Sequence, residues 1–154
     1  MNALETRVPP PLAGLICGAL AWLASAAVGN PTAIAFPIRL TGALALLVLG
    51  FSITSAGVRA VLRAKTTLNP IKPETSSALV TSGIYRYTRN PMYLGMATWL
   101  LAWSAWLGTP VGLLGAPLFM LYMYRFQIDP EERALSTLFG AEFAAYRTRV
   151  RRWL

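Results

Sequence analysis

A chain of 154 residues is ordinarily one domain, but 55% hydrophobic and 13% charged residues with a mean hydropathy of +0.49 exclude an ordinary water-soluble one. Fourteen Lys and Arg face six Asp and Glu; a single cysteine excludes an internal disulfide, and the absence of histidine excludes the usual metal clusters. Without a phosphate-binding glycine loop or a repeat of 20–50 residues, the composition predicts an all-α, polytopic membrane bundle, one membrane domain over 1–154, with about four transmembrane helices.

In chain order, uncharged runs cover 8–36 and 40–58, each able to supply the roughly 20 residues a spanning helix needs. Helix one is predicted over 12–28, preceded by Pro9, Pro10 and Pro11 and ended by Gly29-Asn30-Pro31. Its flank, with Glu5 and only Arg7, reads as that of a permanent helix and not of a secretory signal. Cys17 fits there as a small packed residue. Helix two is predicted over 38–60. Residues 59–91 then form a cytoplasmic cap loop, punctuated by Asn69-Pro70, Lys72-Pro73 and Ser82-Gly83 and anchored by Leu68, Ile71, Leu79, Val80 and Ile84.

The third uncharged run, 90–124, would be about 50 Å long as one helix, against a hydrocarbon core of roughly 30 Å. It must fold back, and Gly108-Thr109-Pro110 marks the turn of a hairpin formed by helices three and four. Asp129-Pro130-Glu131-Glu132 then reads as an N-cap, a proline at the first helical position and a capping-box glutamate. These open an amphipathic interfacial helix over 129–154, with Leu135, Leu138, Phe139, Phe143, Tyr146, Val150 and Trp153 on its apolar face, closing over the mouth of the bundle.

This topology puts thirteen basic residues on one side and only Arg39 on the other, so both termini are expected in the cytoplasm, with the bundle in the cytoplasmic (inner) membrane. Because the charge flanks membrane segments, it suits an anionic lipid surface and not nucleic acid.

The stretch LVTSGIYRYTRNPMYLG, residues 79–95, gathers Tyr85, Arg86, Tyr87, Arg89, Asn90 and Tyr93 at the mouth of helix three. Taken alone, such residues form an interfacial belt. Glu131 and Glu132 would complement a helix dipole, and Arg125 would snorkel from a helix end. What argues for a site is that both clusters converge on the cytoplasmic ends of one hairpin. Arginines and glutamates together suit a zwitterion, while aromatic or apolar walls suit a flat ring.

The string SGIYRYTRNPMYLG followed by EERALSTLFGAEFAAYRTRV resembles the isoprenylcysteine carboxyl methyltransferase and phospholipid N-methyltransferase superfamily over about residues 66–154. That superfamily pairs an Arg-His-Pro-x-Tyr-x-Gly motif with a downstream Glu-Glu; here Asn90 stands where much of the family has histidine, so no imidazole can titrate at that position. The resemblance implies an S-adenosylmethionine-dependent membrane methyltransferase with its cofactor pocket on the cytoplasmic side. By resemblance, Leu79, Val80, Tyr85, Asn90, Pro91, Met92 and Tyr93 line that pocket, Gly95 permits close approach, and Glu131 binds the cofactor's amino group or braces the pocket.

The acceptor implied is a membrane lipid or a lipidated or hydrophobic small molecule in the bilayer, with neither metal nor nucleic acid involved. Arg89 and Arg125 are candidates to orient an anionic acceptor, and Glu132 is a candidate catalytic carboxylate that doubles as helix cap. A histidine-free site leans toward an acceptor already nucleophilic near neutral pH, such as a carboxylate. The competing expectation is a non-catalytic membrane protein that binds anionic lipid or serves as an assembly subunit; it requires that Asn90, Tyr93 and Glu131 be freely replaceable.

Overall fold

The computed structural model describes residues 5–29, 34–67 and 76–154. The turn residues Asn30-Pro31 and the cap-loop landmarks Leu68, Asn69-Pro70, Ile71 and Lys72-Pro73 lie outside the described residues. Of the described residues, 78% are helical, and no strand is found among them.

Helix α1 (Pro10–Val28) starts two residues earlier than expected, because prolines are tolerated in a first turn whose N–H groups have no helical acceptor anyway. It ends at Gly29, whose left-handed φ of 68° lets its N–H return to the Ser25 carbonyl. Helix α2 (Phe36–Arg63) overruns its predicted bounds at both ends. Its 28 residues span about 42 Å, more than the hydrocarbon core, so Arg59 and Arg63 emerge on a helical stalk instead of a loop.

Helix α3 (Pro91–Leu107) and helix α4 (Gly115–Met123) form the expected hairpin. Gly108 turns the chain with φ 67°, and a 3-10 turn, Pro110–Leu114, follows. The hairpin is pinned by buried hydroxyls: Ser104 donates to the Gly112 carbonyl at 2.6 Å, and Thr109 bonds Ser25 of α1 at 2.5 Å. Arg39 donates to the Leu107 carbonyl at 3.3 Å, placing a cation at the negative end of α3.

α3 is central, with α2 packed on one side and α1 and α4 on the other. Tyr93, Ala97 and Leu100 meet Ala13 and Cys17 of α1 and Ala116, Phe119 and Met123 of α4 in the core. Leu15, Trp22, Ile38, Val48 and Phe51 stay exposed on the outer faces of α1 and α2, as a lipid-facing surface requires. Among the described residues, three helical stretches are long and apolar enough to cross a membrane: α1, α2 and the continuous run Pro110–Arg149. At 17 residues, α3 is shorter than the roughly 20 of a full span.

The α2–α3 crossing depends on glycines. A Cβ at Gly95 would lie 2.0 Å from the Thr54 hydroxyl oxygen and 2.7 Å from the Gly50 carbonyl oxygen, and one at Gly50 would meet the Trp99 ring at 2.5 Å. Small residues let membrane helices approach closely enough for packing to hold them together. Gly95→Leu is therefore expected to force the two helices apart and destabilise the bundle by about 1–3 kcal/mol or more. A lowered thermal midpoint in detergent, with Gly42→Leu as an uncrowded control, checks this.

No new helix starts at Asp129. Chain continuity runs from α4 through a π-turn, Tyr124–Ile128, into α5 (Asp129–Arg149), and Asp129 caps nothing. Pro130 explains the π-turn. A helix-interior proline lacks an N–H and crowds the carbonyl four residues back, here Phe126, and a widened turn relieves that clash. The freed Phe126 carbonyl accepts the Thr6 N–H at 3.0 Å, which ties the N-terminal segment to this junction.

α5 is also shorter than the predicted 129–154. It bends at Gly140, whose φ of 43° and ψ of −116° suit glycine, and gives way to extended chain at Val150. The bend turns Phe143 and Tyr146 inward, with Leu135 and Phe139 packed against them, while Leu138 stays exposed.

Candidate functional site

The tail beyond α5 returns along the segment that leads into α3. Arg89 N–H donates to the Arg151 carbonyl, while the Thr88 hydroxyl and the Asn90 side-chain amide both donate to the Arg152 carbonyl at 3.0 Å. Glu132 sits beneath this seam, buried. One carboxylate oxygen accepts from Arg89 Nη2 at 2.7 Å and Arg152 Nε at 3.0 Å, and the other from Arg152 Nη2 at 2.8 Å. Burial alone would raise the Glu132 carboxyl, but the hydrogen bonds from Arg152 and Arg89 outweigh it and hold the group below the usual carboxylate range. Arg89 also donates to the Val150 and Arg147 carbonyls. Arg89, Glu132 and Arg152 thus form one lock holding α5 and the tail onto the α3 entrance.

Beside the lock lies a cleft of about 880 Å3, its open mouth included, above the N-terminus of α3. Leu79, Val80, Tyr85, Asn90, Pro91, Met92, Tyr93 and Glu131 line it, together with Arg89 and Glu132. The two remaining sequence candidates lie elsewhere. Gly95 is in the α2–α3 crossing, and Arg125 reaches the buried Glu5 carboxylate at 3.5 Å, alongside Arg133 at 2.6 Å.

Among the described residues, the α3 N-terminus and Glu131 are two polar elements of the cleft placed to meet a ligand. Asn90 holds the N-cap position of α3, but its amide is turned to the tail, and no side chain caps the helix. First-turn N–H groups lack intrahelical acceptors and favour an anion. The second is Glu131, whose Oε1 accepts from the Tyr93 hydroxyl at 2.5 Å and from Gln127 Nε2 at 2.6 Å. Lying beyond the apolar part of the α4–α5 run, the Glu131 carboxyl is pushed up to about 7 by burial, against the lowering effect of those two hydrogen bonds.

The walls are apolar and aromatic: Leu79, Val80, Leu135, Phe143, Tyr85 and Tyr146. Burial pushes the Tyr146 phenol up to about 12 and raises Tyr85 as well, so both are neutral near pH 7, and Tyr146 donates to the Tyr85 carbonyl at 2.7 Å. Sequence reasoning missed Gln127, and it took Phe143 and Tyr146 only as an interfacial face. A four-residue step from Met123 through Gln127 to Glu131 was the available signal. Among the described residues no group of His, Cys, Asp and Glu is arranged to hold a metal.

A family profile described as phospholipid methyltransferase matches residues 38–142. An uncharacterised protein of Haemophilus influenzae is 46% identical over 63 residues, covering 41% of this chain and 100% of that one. The protein-S-isoprenylcysteine O-methyltransferase of Schizosaccharomyces pombe is 33% identical over 118 residues, 75% of this chain and 49% of its own. The protein-S-isoprenylcysteine O-methyltransferase B of Arabidopsis thaliana is 27% identical over 107 residues, covering 70% and 54%. The chain thus spans about half the length of these two named relatives. No solved structure gives a significant match. With two thirds of its length matched by one family profile and its motif pair set around one cleft, the chain belongs to the phospholipid methyltransferase family, within the superfamily that its motifs resemble.

Proposed function

We propose that this chain is an integral membrane methyltransferase that binds S-adenosylmethionine in the cleft above α3 and methylates a lipid-like acceptor held in the bilayer. The observation that carries the reading is the pairing of two complementary polar elements in one apolar-walled cleft. The uncapped α3 N-terminus suits the cofactor's carboxylate, Glu131 suits its ammonium, and the Tyr85, Phe143 and Leu79 walls suit its adenine. Arg89 is not assigned to the carboxylate, since Glu132 already engages it.

When bound, the cofactor supplies an electrophilic methyl group on a sulfonium, and transfer is an in-line displacement. The chain's own contribution is alignment and exclusion of water, which a site without histidine can provide. In this reading the described parts of the cap, residues 59–67 and 76–91, and the closing segment 129–154 enclose the site. Arg89, Glu132 and Asn90 then act by positioning, and Arg125 lies outside the reacting centre. The names of the relatives describe O-methylation of an isoprenylcysteine, which agrees with an oxygen acceptor already ionised near neutral pH. The cleft opens on the basic side of the bundle, so the reading places it, with both termini, at the cytoplasmic face of the inner membrane.

Calorimetric titration of detergent-purified protein with S-adenosylmethionine and S-adenosylhomocysteine tests this. Saturable binding of both is expected. No binding by demonstrably folded, lipid-supplemented protein would overturn the reading and favour a non-catalytic lipid-binding protein.

A further inference from the structure

We infer that Gln127 is a positioning residue for Glu131, fixing the carboxylate so that its second oxygen meets a cationic ligand group, and that binding is coupled to release of a proton from Glu131. This rests on the cleft being the cofactor site.

Gln127 is 2% exposed, next to the fully buried Met123 and Ile128. A primary amide at such depth is costly unless its hydrogen bonds are made. Its position is not accidental to the helix. At 3.6 residues per turn, steps of four drift by about 40° each, so Phe119, Met123, Gln127 and Glu131 would spiral off the inward face of a regular helix. The π-turn at Tyr124–Ile128 takes up an extra residue and cancels part of that drift, keeping Gln127 inside and Glu131 on the cleft wall.

Gln127 and Tyr93 both donate to Glu131 Oε1, and among the described residues hydrogen bonds reach only that oxygen. Oε2 is therefore the acceptor left for a ligand. Among the described residues, the titratable groups facing Glu131 are Tyr93 of α3, Tyr85 of the 3-10 turn Gly83–Arg86 and the neighbouring Glu132. The nearby cations Arg89 and Arg152 are held on Glu132, so none of these neighbours supplies Glu131 with a counter-ion. In the free protein near neutral pH the carboxyl is partly protonated. An ammonium docking on Oε2 favours the carboxylate, so the neutral acid loses its proton to solvent as the ion pair forms. Loss of the Gln127 donor removes one of the two hydrogen bonds that favour ionisation.

The test is S-adenosylmethionine affinity from pH 5.5 to 9 for wild type, Gln127→Met and Gln127→Asn, with thermal melts to establish folding and calorimetry in buffers of different ionisation enthalpy to count protons. Wild-type affinity should rise through about pH 7 and fall again as the ligand's own amine deprotonates, the falling limb being common to all variants. In Gln127→Met the rising limb should move up by about one pH unit, lowering affinity about fivefold at pH 7 and about tenfold well below it, with Gln127→Asn between the two. A purely structural effect would lower affinity equally at every pH, and that result, or a wild-type profile flat below pH 8, would overturn the inference while leaving the cofactor site standing. Absence of wild-type binding at any pH would overturn both.

Discussion

Replacing Glu131 by glutamine is expected to weaken S-adenosylmethionine binding roughly 10- to 150-fold and at the same time to stabilise the protein above pH 7. The binding loss follows from removing the one carboxylate among the cleft's described residues that makes no ion pair, since a hydrogen bond to a charged group contributes roughly 1.5–3 kcal/mol. The stability gain follows from linkage. Burial raises the folded Glu131 carboxyl to about 7 from 4.5, so the fold favours the protonated acid. That contribution is fully present below about pH 4.5 and is lost as pH rises through about 7.

Glutamine keeps the oxygen that accepts from Tyr93 and Gln127 and never ionises. At pH 8 the variant should therefore exceed wild type by about 1–2 kcal/mol, less than the full shift implies because the carboxyl borders an open cleft. Below pH 5 the two should melt together. Melting midpoints across that range, beside titrations with the cofactor, check both halves. Equal melting at pH 8 with unchanged affinity would remove Glu131 from the site.

Glu132→Ala, one position along, should behave in the opposite way. Its carboxylate joins Arg89 and Arg152, whose side chains are 11% and 21% exposed, so its removal leaves Arg89 largely buried without its counter-ion and Arg152 with Asp129 alone, at 2.8 Å. Breaking a buried pair from one side costs about 3–5 kcal/mol. For a chain of this size that corresponds to a fall of roughly 10 °C in melting midpoint.

The depressed Glu132 carboxyl gives the corresponding pH sign: its stabilisation is present above the unfolded pKa and is lost as pH falls through the lower folded value. Arg89→Ala should cost a similar amount, and the Arg89→Ala/Glu132→Ala double variant much less than the sum. Limited proteolysis should locate the damage at the tail, residues 150–154, which comes free when the lock opens. Cofactor binding should fall as well, because Tyr146 and Phe143 are carried by the same α5.

The two glutamates show where sequence reading stops. Adjacent in the chain, they read as one acidic pair at a helix start. Successive helical residues point about 100° apart, so one faces the arginine lock and the other the cleft. Arg89 shows the same limit. Its place at the mouth of α3 was legible, but its partner lies 43 positions away, and only the folded chain reveals that its charge is already engaged. Asn90 and Gly95 are further cases: the first binds the returning tail and the second faces α2.

By itself the sequence determined the properties that are local in the chain: the apolar runs, the hairpin at Gly108-Thr109-Pro110, the one-sided distribution of basic residues and the motif pair at residues 79–95 and 131–132. Hydrophobic run length and the backbone limits of glycine and proline act over a few residues, so they can be read without a fold. The tertiary structure alone decided which carboxylate locks and which one faces a ligand, that Pro130 widens a turn instead of starting a helix, and that Gln127 reaches Glu131. A buried charge or amide is satisfied by whichever group the fold brings within about 3 Å, and segments tens of residues apart supply most of those groups here.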